Sequence, residues 1–535
     1  MAGLASQLPF ESFLLGARFI SKLPFFLRHP IGLKGARATL QRRFEHRETN
    51  FLRIVKRAVY DYKPSPYRKL LRLAGCEYGD FERLVSQNGV EGTLQILHRH
   101  GVYLTVDEYK GRKAVKRGSI ALNVDPDCLR NPFSAFHLPA QSGGSRSKGT
   151  PVLMDLAFVR GCGINACLFL DARGGSDWHK ATWETPGAGA RFRLLKFSSF
   201  GAPAVRWFSQ VDPAAPGLHQ IFRWSERAMR WGSYLSGVAL PRPLHVPLDN
   251  PLPIAQWMIE VLRAGGTPHL FTFPSSAVRL CQAACEMGLG LQGAQFLLAG
   301  EPITQARLAV VRRTGAQAVP RYGSMECGPI GYGCLAPEAP DDLHLLHDLH
   351  ALIQPQADDQ VNGLPPNALF ITSLHPAAPF IFLNVSMGDQ AIVAQRQCGC
   401  PLERLGWITH LHAIRSYEKL TGAGMTFLDT DVIRVLEEVL PAGFGGAPTD
   451  YQLLEEEAED GEPRLRLLVH PSVGPLDTQK VAATFLEAIG SASPIERVME
   501  FVWRDADLLR VERRVPLTTH SGKILHLHLE RTKGP

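Results

Sequence analysis

The most informative segment of this 535-residue chain reads Arg321-Tyr322-Gly323-Ser324-Met325-Glu326-Cys327-Gly328-Pro329. It follows a β-like run and presents, in order, an aromatic ring, a glycine, a hydroxyl and a carboxylate. These groups can stack on a base, let a ligand approach closely, hydrogen-bond a phosphate and hold a magnesium ion. Taken alone, the segment equally fits a tight turn with a solvated glutamate.

Four further segments carry groups suited to the same kind of ligand. They are Ser142-Gly143-Gly144-Ser145-Arg146-Ser147-Lys148-Gly149-Thr150, Gly300-Glu301-Pro302, Gly388-Asp389 and Ser521-Gly522-Lys523. Backbone N–H groups and cations of the first segment can hold phosphate oxygens, although its spacing is not that of a Walker A loop. The Asp389 carboxylate can accept hydrogen bonds from a ribose, and Lys523 can contact a carboxylate or a phosphate. Each segment by itself is also typical of an ordinary turn, linker or tail.

The order of these segments resembles the adenylate-forming superfamily and, more narrowly, its phenylacetate–coenzyme A ligase branch. The resemblance covers residues 50–530. It implies that a carboxylate attacks the α-phosphorus of ATP, giving an acyl-adenylate and pyrophosphate, and that a thiol, with coenzyme A expected, then displaces AMP. We expect an aryl or other apolar acid, in a pocket drawn from residues 197–207, 272–275 and 322–330.

The resemblance also assigns roles to residues. The catalytic set is Ser324 at the α-phosphate, Glu326 as magnesium ligand, and Lys523 at the reacting carboxylate and α-phosphate oxygens. The nucleotide-binding set comprises Ser142, Gly143, Gly144, Ser145, Arg146, Ser147, Lys148, Gly149 and Thr150 for the β- and γ-phosphates, Gly300, Glu301, Pro302 and Tyr322 for the adenine, Asp389 for the ribose, and Gly323 and Arg415. Two features depart from the family pattern: the phosphate loop is longer, and Tyr417-Glu418 stands where two hinge aspartates are usual.

The pattern of apolar runs and turn residues along the chain predicts an α/β fold in two parts. Short β-rich runs alternate with helical stretches between residues 130 and 410, which favours an α/β body. After Arg415 the pattern changes to a helix at 431–440, a hairpin of 451–454 with 464–469, a helix at 478–489 and a strand at 497–502. We therefore expect a large N-terminal adenylate-forming domain at 51–413 and a small α+β C-terminal lid, mobile about a hinge, at 416–535.

Residues 1–50 form a basic amphipathic arm. Residues 1–57 hold eleven Lys and Arg against three acids, whereas the net charge of the whole chain is only +7. A helix is expected from Glu11 to Leu23, ending there because Pro24 lacks the N–H of the next turn. The pattern fits an arm packed on the body, or peripheral contact with an anionic membrane or a partner protein. The nearly neutral remainder argues against nucleic-acid binding.

Ten cysteines in 535 residues are too few for a disulfide scaffold and indicate a reducing, cytoplasmic location. The absence of a long apolar run and of a signal-peptide pattern agrees with this expectation. Cys334, His344, Cys398 and Cys400 are candidate ligands of a tetrahedral structural zinc ion, with His347 as an alternative. Free thiols are the other interpretation of these cysteines.

Two other functions remain open. One is an enzyme that adenylates an unusual acid or oxyanion for attack by an amine or a carrier-protein thiol. The other is a non-catalytic nucleotide-binding protein. The joint presence of Glu326, Asp389 and Lys523 favours an enzyme that uses ATP and Mg²⁺. The expected partners are a small carboxylic acid and a thiol acceptor, with a homodimer left open.

Overall fold

The computed structural model describes residues 8–118, 120–135, 137–141, 151–215, 220–355, 364–417, 421–422, 425–426, 429–457, 463–490, 509–519 and 522–530. The described chain opens with helices, alternates helices and strands between residues 151 and 324, and continues to residue 416 with strands and no described α-helix, so the alternation ends earlier than the predicted residue 410. The helices are α1 (Leu8–Arg28), α2 (Leu33–Glu45), α3 (Arg47–Val55), α4 (Tyr67–Leu73), α5 (Tyr78–Arg99), α6 (Val106–Tyr109), α7 (Leu156–Ala172), α8 (Ala188–Ser198), α9 (Gln220–Leu235), α10 (Leu252–Arg263), α11 (Pro274–Glu286), α12 (Gln305–Arg313), α13 (Asp429–Arg434), α14 (Leu440–Phe444) and α15 (Thr478–Gly490).

The strands belong to a large central sheet, a smaller C-terminal sheet and three two-stranded pairs. They are β1 (Val115–Arg117), β2 (Ile120–Leu122), β3 (Leu138–Gln141), β4 (Pro151–Met154), β5 (His179–Glu184), β6 (Arg206–Ser209), β7 (Pro243–His245), β8 (Pro268–Thr272), β9 (Gln295–Ala299), β10 (Gln317–Ser324), β11 (Gly328–Gly333), β12 (Leu343–Leu345), β13 (His350–Ile353), β14 (Ala368–Ser373), β15 (Val385–Gln395), β16 (Thr409–Ser416), β17 (Thr421–Gly422), β18 (Met425–Thr426), β19 (Tyr451–Glu457), β20 (Pro463–Val469), β21 (Leu509–Arg513) and β22 (Leu527–Glu530).

The large domain is built on a mixed sheet of twelve described strands. Their order is β13-β14-β15-β16-β12-β11-β10-β9-β8-β5-β6-β7. From β7 to β10 the neighbours run parallel, and from β10 to β13 they run antiparallel. Every residue of β8 and β9 is buried, as expected for parallel strands covered on both faces. This confirms the α/β class.

Helices cover both faces of the parallel part of the sheet. On β9, Leu297 packs in the core that contains α7 and α8, whereas Leu298 packs in the core that contains α10, α11 and α12. Consecutive side chains of a strand point to opposite faces, so a continuous apolar run supplies both cores. The carboxyl ends of these strands therefore meet along one edge between two packed layers.

The N-terminal helix is longer than predicted. α1 continues through Pro24 to Arg28, so the predicted end at Leu23 is wrong. The turn after the proline is retained because Phe26 and Leu27 are buried, and because the Arg160 guanidinium donates to the Phe26 carbonyl at 2.9 Å. Packing thus outweighs the hydrogen bond that Pro24 cannot make. The arm lies against the body, with Phe19 and Leu23 also in the main core.

The C-terminal unit is a separate, small α+β domain. β19 and β20 form the predicted hairpin, and β21 and β22 add parallel strands on either side in the order β21-β20-β19-β22. α13, a π-helical turn at Val435–Val439 and α14 follow one another without a break. With α15 they enclose a core of their own. The predicted strand at 497–502 lies outside the described residues, and the sequence did not predict β21 or β22.

None of the described helices combines the length and the hydropathy needed to cross a bilayer.

Candidate active site

Several residues of the candidate site lie at the carboxyl ends of the parallel strands. Gln210 follows β6, Phe273 follows β8, Gly300 follows β9, and Ser324 ends β10. In an open parallel sheet, ligands bind in the crevice at this edge. The tip of the C-terminal domain, which carries Lys523, reaches into the same place.

Lys523 lies directly over Gly300. A Cβ atom built on Gly300 would stand 3.0 Å from Lys523 Nζ and 3.2 Å from the Phe273 ring, and Gly300 has a φ of +91°. The Lys523 ammonium is 5.2 Å from the centre of that ring. The backbone conformation therefore favours glycine at position 300, and the lysine and the ring leave little space for a side chain there.

Gly522 brings the tip close to the large domain. Its φ is +79°, and an added Cβ would lie 2.0 Å from Gln210 Oε1 and 3.6 Å from Thr185. Gln210 is buried, and its side-chain amide donates to Ser276 Oγ at 3.0 Å. The C-terminal tip thus fits the edge of the sheet with no room for a side chain at position 522.

The Glu301 side chain is fully enclosed. Its carboxylate accepts hydrogen bonds from Ser275 N and Oγ at 2.9 and 2.7 Å, and from Arg307 Nη1 at 2.7 Å. The Ile524 N–H of the C-terminal domain donates to the same carboxylate at 3.1 Å. The side chain therefore connects the two domains, and the adenine contact predicted for Gly300, Glu301 and Pro302 stays a prediction.

Tyr322 and Asp389 are brought together from strands far apart in the sequence. The Tyr322 hydroxyl donates to Asp389 Oδ2 at 2.7 Å. Burial, with the negative charge of Asp389, holds the pKa of the Tyr322 phenol well above its usual range. The phenol is therefore a permanent donor that fixes the orientation of Asp389. The sequence predicts a turn at Gly388-Asp389, but both residues lie within β15, where Gly388 has a φ of +89° and the pairing with β14 is irregular.

The turn between β10 and β11 holds Ser324 and Glu326. Ser324 Oγ accepts a hydrogen bond from the Cys327 N–H at 3.0 Å. Glu326 is 4% exposed, and in the described part of the chain its carboxylate has neither a cationic partner nor a hydrogen bond. A buried carboxylate without an internal partner suits a hard cation such as Mg²⁺, which takes one or two carboxylates and substrate phosphates.

Arg415 lies at the base of the connection to the C-terminal domain. Its Nη1 donates to Asp341 Oδ2 at 3.0 Å. Asp341 also accepts from the Ala413 and Ile414 N–H groups at 2.9 and 2.8 Å. Ala413 has a φ of +51°, which is uncommon for a residue with a side chain. One carboxylate therefore holds this backbone conformation. The nucleotide contact predicted for Arg415 remains a prediction.

The predicted phosphate loop, Ser142–Thr150, lies outside the described residues. The strands on either side of it, β3 and β4, pair antiparallel from Leu138 with Met154 to Gln141 with Pro151.

The four candidate zinc ligands converge. The ligand atoms of Cys334, His344, Cys398 and Cys400 all lie within 4.8 Å of one another. His344 Nε2 is 3.2 Å from Cys400 Sγ and 3.6 Å from Cys398 Sγ. A tetrahedral zinc ion with ordinary bond lengths separates such atoms by about 3.5 Å. His344 Nδ1 donates to the Trp407 carbonyl at 2.6 Å, which leaves Nε2 as the ligand atom. The alternative ligand, His347, is not part of the cluster.

Four residues at the interface between the large domain and the C-terminal domain were not predicted from the sequence: Gln210, Arg307, Glu437 and His526. Arg307 pairs with Glu301 and with Glu437, and His526 contacts Glu437. Only His526 stood near a recognised motif, three residues after Lys523. The other three occur in segments whose sequences read as ordinary helix or strand ends.

No family model matches the sequence, and no curated protein matches it. The fold does match solved structures. A structure of 2-hydroxyisobutyryl-CoA ligase in the postadenylation state with 2-HIB-AMP is 13% identical, with a TM-score of 0.55. The same ligase in that state with R3-HIB-AMP is 14% identical, with a TM-score of 0.54. Each match covers 91% of this chain and 89% of the ligase.

At this identity the match establishes the fold alone. This chain shares the fold of these ligase structures, a large α/β domain followed by a small α+β domain, which confirms the predicted fold class. The narrower phenylacetate–coenzyme A ligase branch is not distinguished by these neighbours.

Proposed function

We propose that this protein activates a carboxylic acid with ATP and transfers the acyl group to a thiol, with coenzyme A as the expected acceptor. In the first step a carboxylate oxygen bonds to the α-phosphorus, the bond to the bridging oxygen breaks, and pyrophosphate leaves. In the second step the thiol sulfur attacks the acyl carbon, AMP leaves, and the thiol proton is released. The neighbouring ligase, named for an acyl-CoA product and bound to an acyl-adenylate, supports this assignment.

The observation that carries the proposal is the position of Lys523. Its ammonium stands over Gly300 at the sheet edge, while Tyr322, Asp389, Ser324 and Glu326 lie on neighbouring elements of the large domain. During adenylation the acid and the triphosphate bring several negative oxygens together, so a cation fixed at the reacting centre lowers the barrier. Glu326 would hold a magnesium ion, which neutralises phosphate charge.

The acid is proposed to be aryl or otherwise apolar, and the phenylacetate-type branch is the nearest fit to the order of motifs. Phe273, next to Lys523, supports an apolar contact beside the reacting centre. Phe197 and Trp207 are 1% and 2% exposed and pack in the main core. Phe197 and Trp207 would therefore support the pocket wall from the core and would not contact the acid directly. The ten free cysteines support the proposed cytoplasmic location.

A pyrophosphate-exchange screen over aryl, fatty and amino acids tests the first step, and mass analysis with and without coenzyme A tests the second. Lys523→Ala should slow exchange by roughly 10²–10³-fold and still release AMP from a preformed acyl-adenylate. Lys480→Ala, an exposed lysine of the same domain, is the matched control. Exchange without a coenzyme A product would favour an amine or carrier-protein acceptor. No exchange with any acid would favour a non-catalytic nucleotide-binding protein.

We also propose that Cys334, His344, Cys398 and Cys400 bind a structural zinc ion. The convergence of three thiols and one imidazole, with no predicted nucleotide-site residue among them, supports a stabilising role. Metal analysis should find one zinc per chain, and Cys398→Ser with Cys400→Ser should abolish it and lower Tm. Cys285→Ser, an exposed free cysteine, is the control. Full-length protein without zinc, and with a Tm unaffected by chelators, would refute this proposal.

Peripheral contact with an anionic membrane is a further part of the proposal. On α9, Trp231, Tyr234 and Leu235 are 70%, 77% and 62% exposed, and Arg227 lies on the same face. Phe25, 65% exposed on the adjoining α1, extends the patch beside the exposed Lys22 and Arg28. Exposed aromatic rings flanked by cations match the interface of an anionic bilayer.

Co-sedimentation with vesicles tests this contact. The protein should bind vesicles that contain phosphatidylserine and not pure phosphatidylcholine. Trp231→Ser with Tyr234→Ser should remove the binding, whereas Met287→Ser, an equally exposed apolar residue elsewhere, should not. Lack of binding to either vesicle, or self-association that the same two changes abolish, would refute a membrane partner.

A further inference from the structure

Four ionisable side chains are buried between the two domains. Glu301 and Arg307 come from the large domain, and Glu437 and His526 come from the C-terminal domain. Their side chains are 0%, 1%, 1% and 4% exposed. Charged groups are seldom enclosed so completely unless they are paired, so their arrangement at a domain boundary calls for a functional reason.

Arg307 is the centre of this group. Its Nη1 donates to Glu301 at 2.7 Å and its Nε donates to Glu437 Oε1 at 2.7 Å. His526 Nε2 is 2.5 Å from the same Glu437 oxygen and 3.2 Å from Arg307 Nη2, so it contacts both charged groups. Thr304 Oγ1 donates to the other Glu437 oxygen. Arg307 therefore holds one carboxylate from each domain.

Glu437 sits in the π-helical turn Val435–Val439, which packs against α12, the helix of Arg307. Burial by itself would raise the pKa of Glu437, but Arg307 and His526 outweigh it and lower that pKa to about 2. Glu437 is therefore ionised at any working pH, and its negative charge faces Arg307 whenever the domains are in this position.

The group is connected to Lys523 through two hydrogen bonds. Glu301, fixed on one side by Arg307, accepts the N–H of Ile524, the residue after Lys523, at 3.1 Å. His526, two residues further on, is fixed by Glu437. The segment that carries Lys523 is thus held at Ile524 and at His526.

We infer that Arg307, Glu437 and His526 form a charged latch that holds the C-terminal domain where Lys523 reaches the active site, and that the latch must open before the domain can leave. This inference rests on the proposed function. The three are positioning residues, because they act on the reaction through the placement of Lys523. The latch acts in adenylation and is dispensable in a step for which the domain has moved away.

A latch made of ions is suited to reversible closure. When the domains separate, Arg307 and Glu437 regain water, and this rehydration offsets most of the attraction lost. An intact latch therefore leaves the closed and open positions similar in free energy. Removing Arg307 leaves the Glu437 carboxylate buried without its cation in the closed position only, whereas removing Glu437 leaves Arg307 buried with Glu301 as its one remaining carboxylate partner. Each domain has its own hydrophobic core, and Ala447 of the C-terminal domain also packs in the core that contains α10, α11 and α12, so opening exposes some apolar surface as well.

The test compares Arg307→Met and Glu437→Gln with Arg312→Met, an exposed arginine on the same helix. Both latch variants should lose roughly 10²-fold or more in pyrophosphate exchange and retain AMP release from preformed acyl-adenylate. Arg312→Met should retain both. The double variant that combines Arg307→Met with Glu437→Met removes both charges of this ion pair. It should recover part of the pyrophosphate exchange that either single change loses.

Amide hydrogen exchange provides a readout that does not depend on catalysis. In the wild type, the Ile524 N–H should be protected by Glu301, and Arg307→Met should remove that protection while peptides of both cores keep theirs. Unchanged protection at Ile524, or equal losses in both half-reactions, would overturn the latch. If wild-type protein activates no acid, the proposed function fails, and the protection measurement still decides whether the latch exists.

Discussion

Replacing Gly522 by alanine should separate the two half-reactions. The backbone at Gly522 has a φ of +79°, which costs an alanine about 1–2 kcal/mol. In addition, the new Cβ would stand 2.0 Å from Gln210 Oε1, a contact that exists only while the C-terminal tip occupies the sheet edge. Gln210 is buried and bonded to Ser276, so it cannot yield freely. Overpacking of this kind costs about 1–3 kcal/mol.

Gly474→Ala is the control for the backbone cost. Gly474 lies in the same domain with a φ of +87°, a ψ of −171° and nothing within 4 Å of an added Cβ, so alanine there has a backbone cost at least as large and no obstructing side chain. Beyond this control, Gly522→Ala should lower kcat/KM of pyrophosphate exchange by about 10–100-fold. Release of AMP from preformed acyl-adenylate should be unchanged.

Combining Gly522→Ala with Gln210→Ala removes the obstructing amide and should restore most of the exchange activity. If Gly522→Ala and Gly474→Ala reduce exchange equally, or if Gln210→Ala gives no rescue, then the tip does not occupy the sheet edge during adenylation. The positions of Lys523 and of the latch would then not describe the working state.

Three further outcomes are expected. Tyr322→Phe removes the phenolic hydrogen bond to Asp389 and should raise KM for ATP by about 5–100-fold with little change in kcat. The control is Tyr451→Phe, which removes a hydroxyl that donates to the Gly445 carbonyl and should leave KM unchanged. Equal KM values in the two variants would refute a role of Tyr322 and Asp389 in nucleotide binding. Limited proteolysis should cut between residues 413 and 424 and release two stable parts, and a chain that resists cleavage there would argue against the predicted hinge. Burial lowers the pKa of His526, against the opposing effect of Glu437, and Arg307 and Glu301 are the other charges that face it. His526 thus binds fewer protons in the closed position than in the open one, so protonation favours opening, and pyrophosphate exchange should weaken as the pH falls below about 6.5. The decline should be less steep in His526→Gln. Parallel pH profiles of the wild type and this variant would contradict the reasoning.

The motifs could be recognised from the sequence because their residues are close in the chain and their chemistry is local. Tyr322, Ser324 and Glu326 occupy one strand end and one turn, and a strand end followed by a glycine-containing turn predicts a ligand-binding edge. The Cys/His cluster was also predicted, because Cys398-Gly399-Cys400 places two thiols close together in the chain, although zinc binding itself stays a prediction. The structure adds the convergence of Cys334 and His344 on this pair.

The latch could not be predicted, because its partners are far apart. Arg307 is 130 residues from Glu437 and 219 residues from His526. In the sequence, Arg307 reads as one of several arginines on a helix, and no periodicity indicates that it is the buried one. Likewise, the continuation of α1 through Pro24 depends on packing of Phe26 and Leu27 against the body, which a local rule about proline does not include.

The segment between Cys334 and His344 contacts the chain at the start of the predicted hinge. It contains Asp341, the carboxylate that fixes Ala413, Ile414 and Arg415 at the end of β16. A metal bound at Cys334 and His344 would clamp both ends of this segment and, through it, the fixed side of the pivot. Loss of the metal would then allow the C-terminal domain a wider range of orientations. Lys523 would reach the reacting atoms in a smaller fraction of them, although no catalytic group is altered. The placement of Lys523 would then depend on a metal site that supplies none of the proposed catalytic residues.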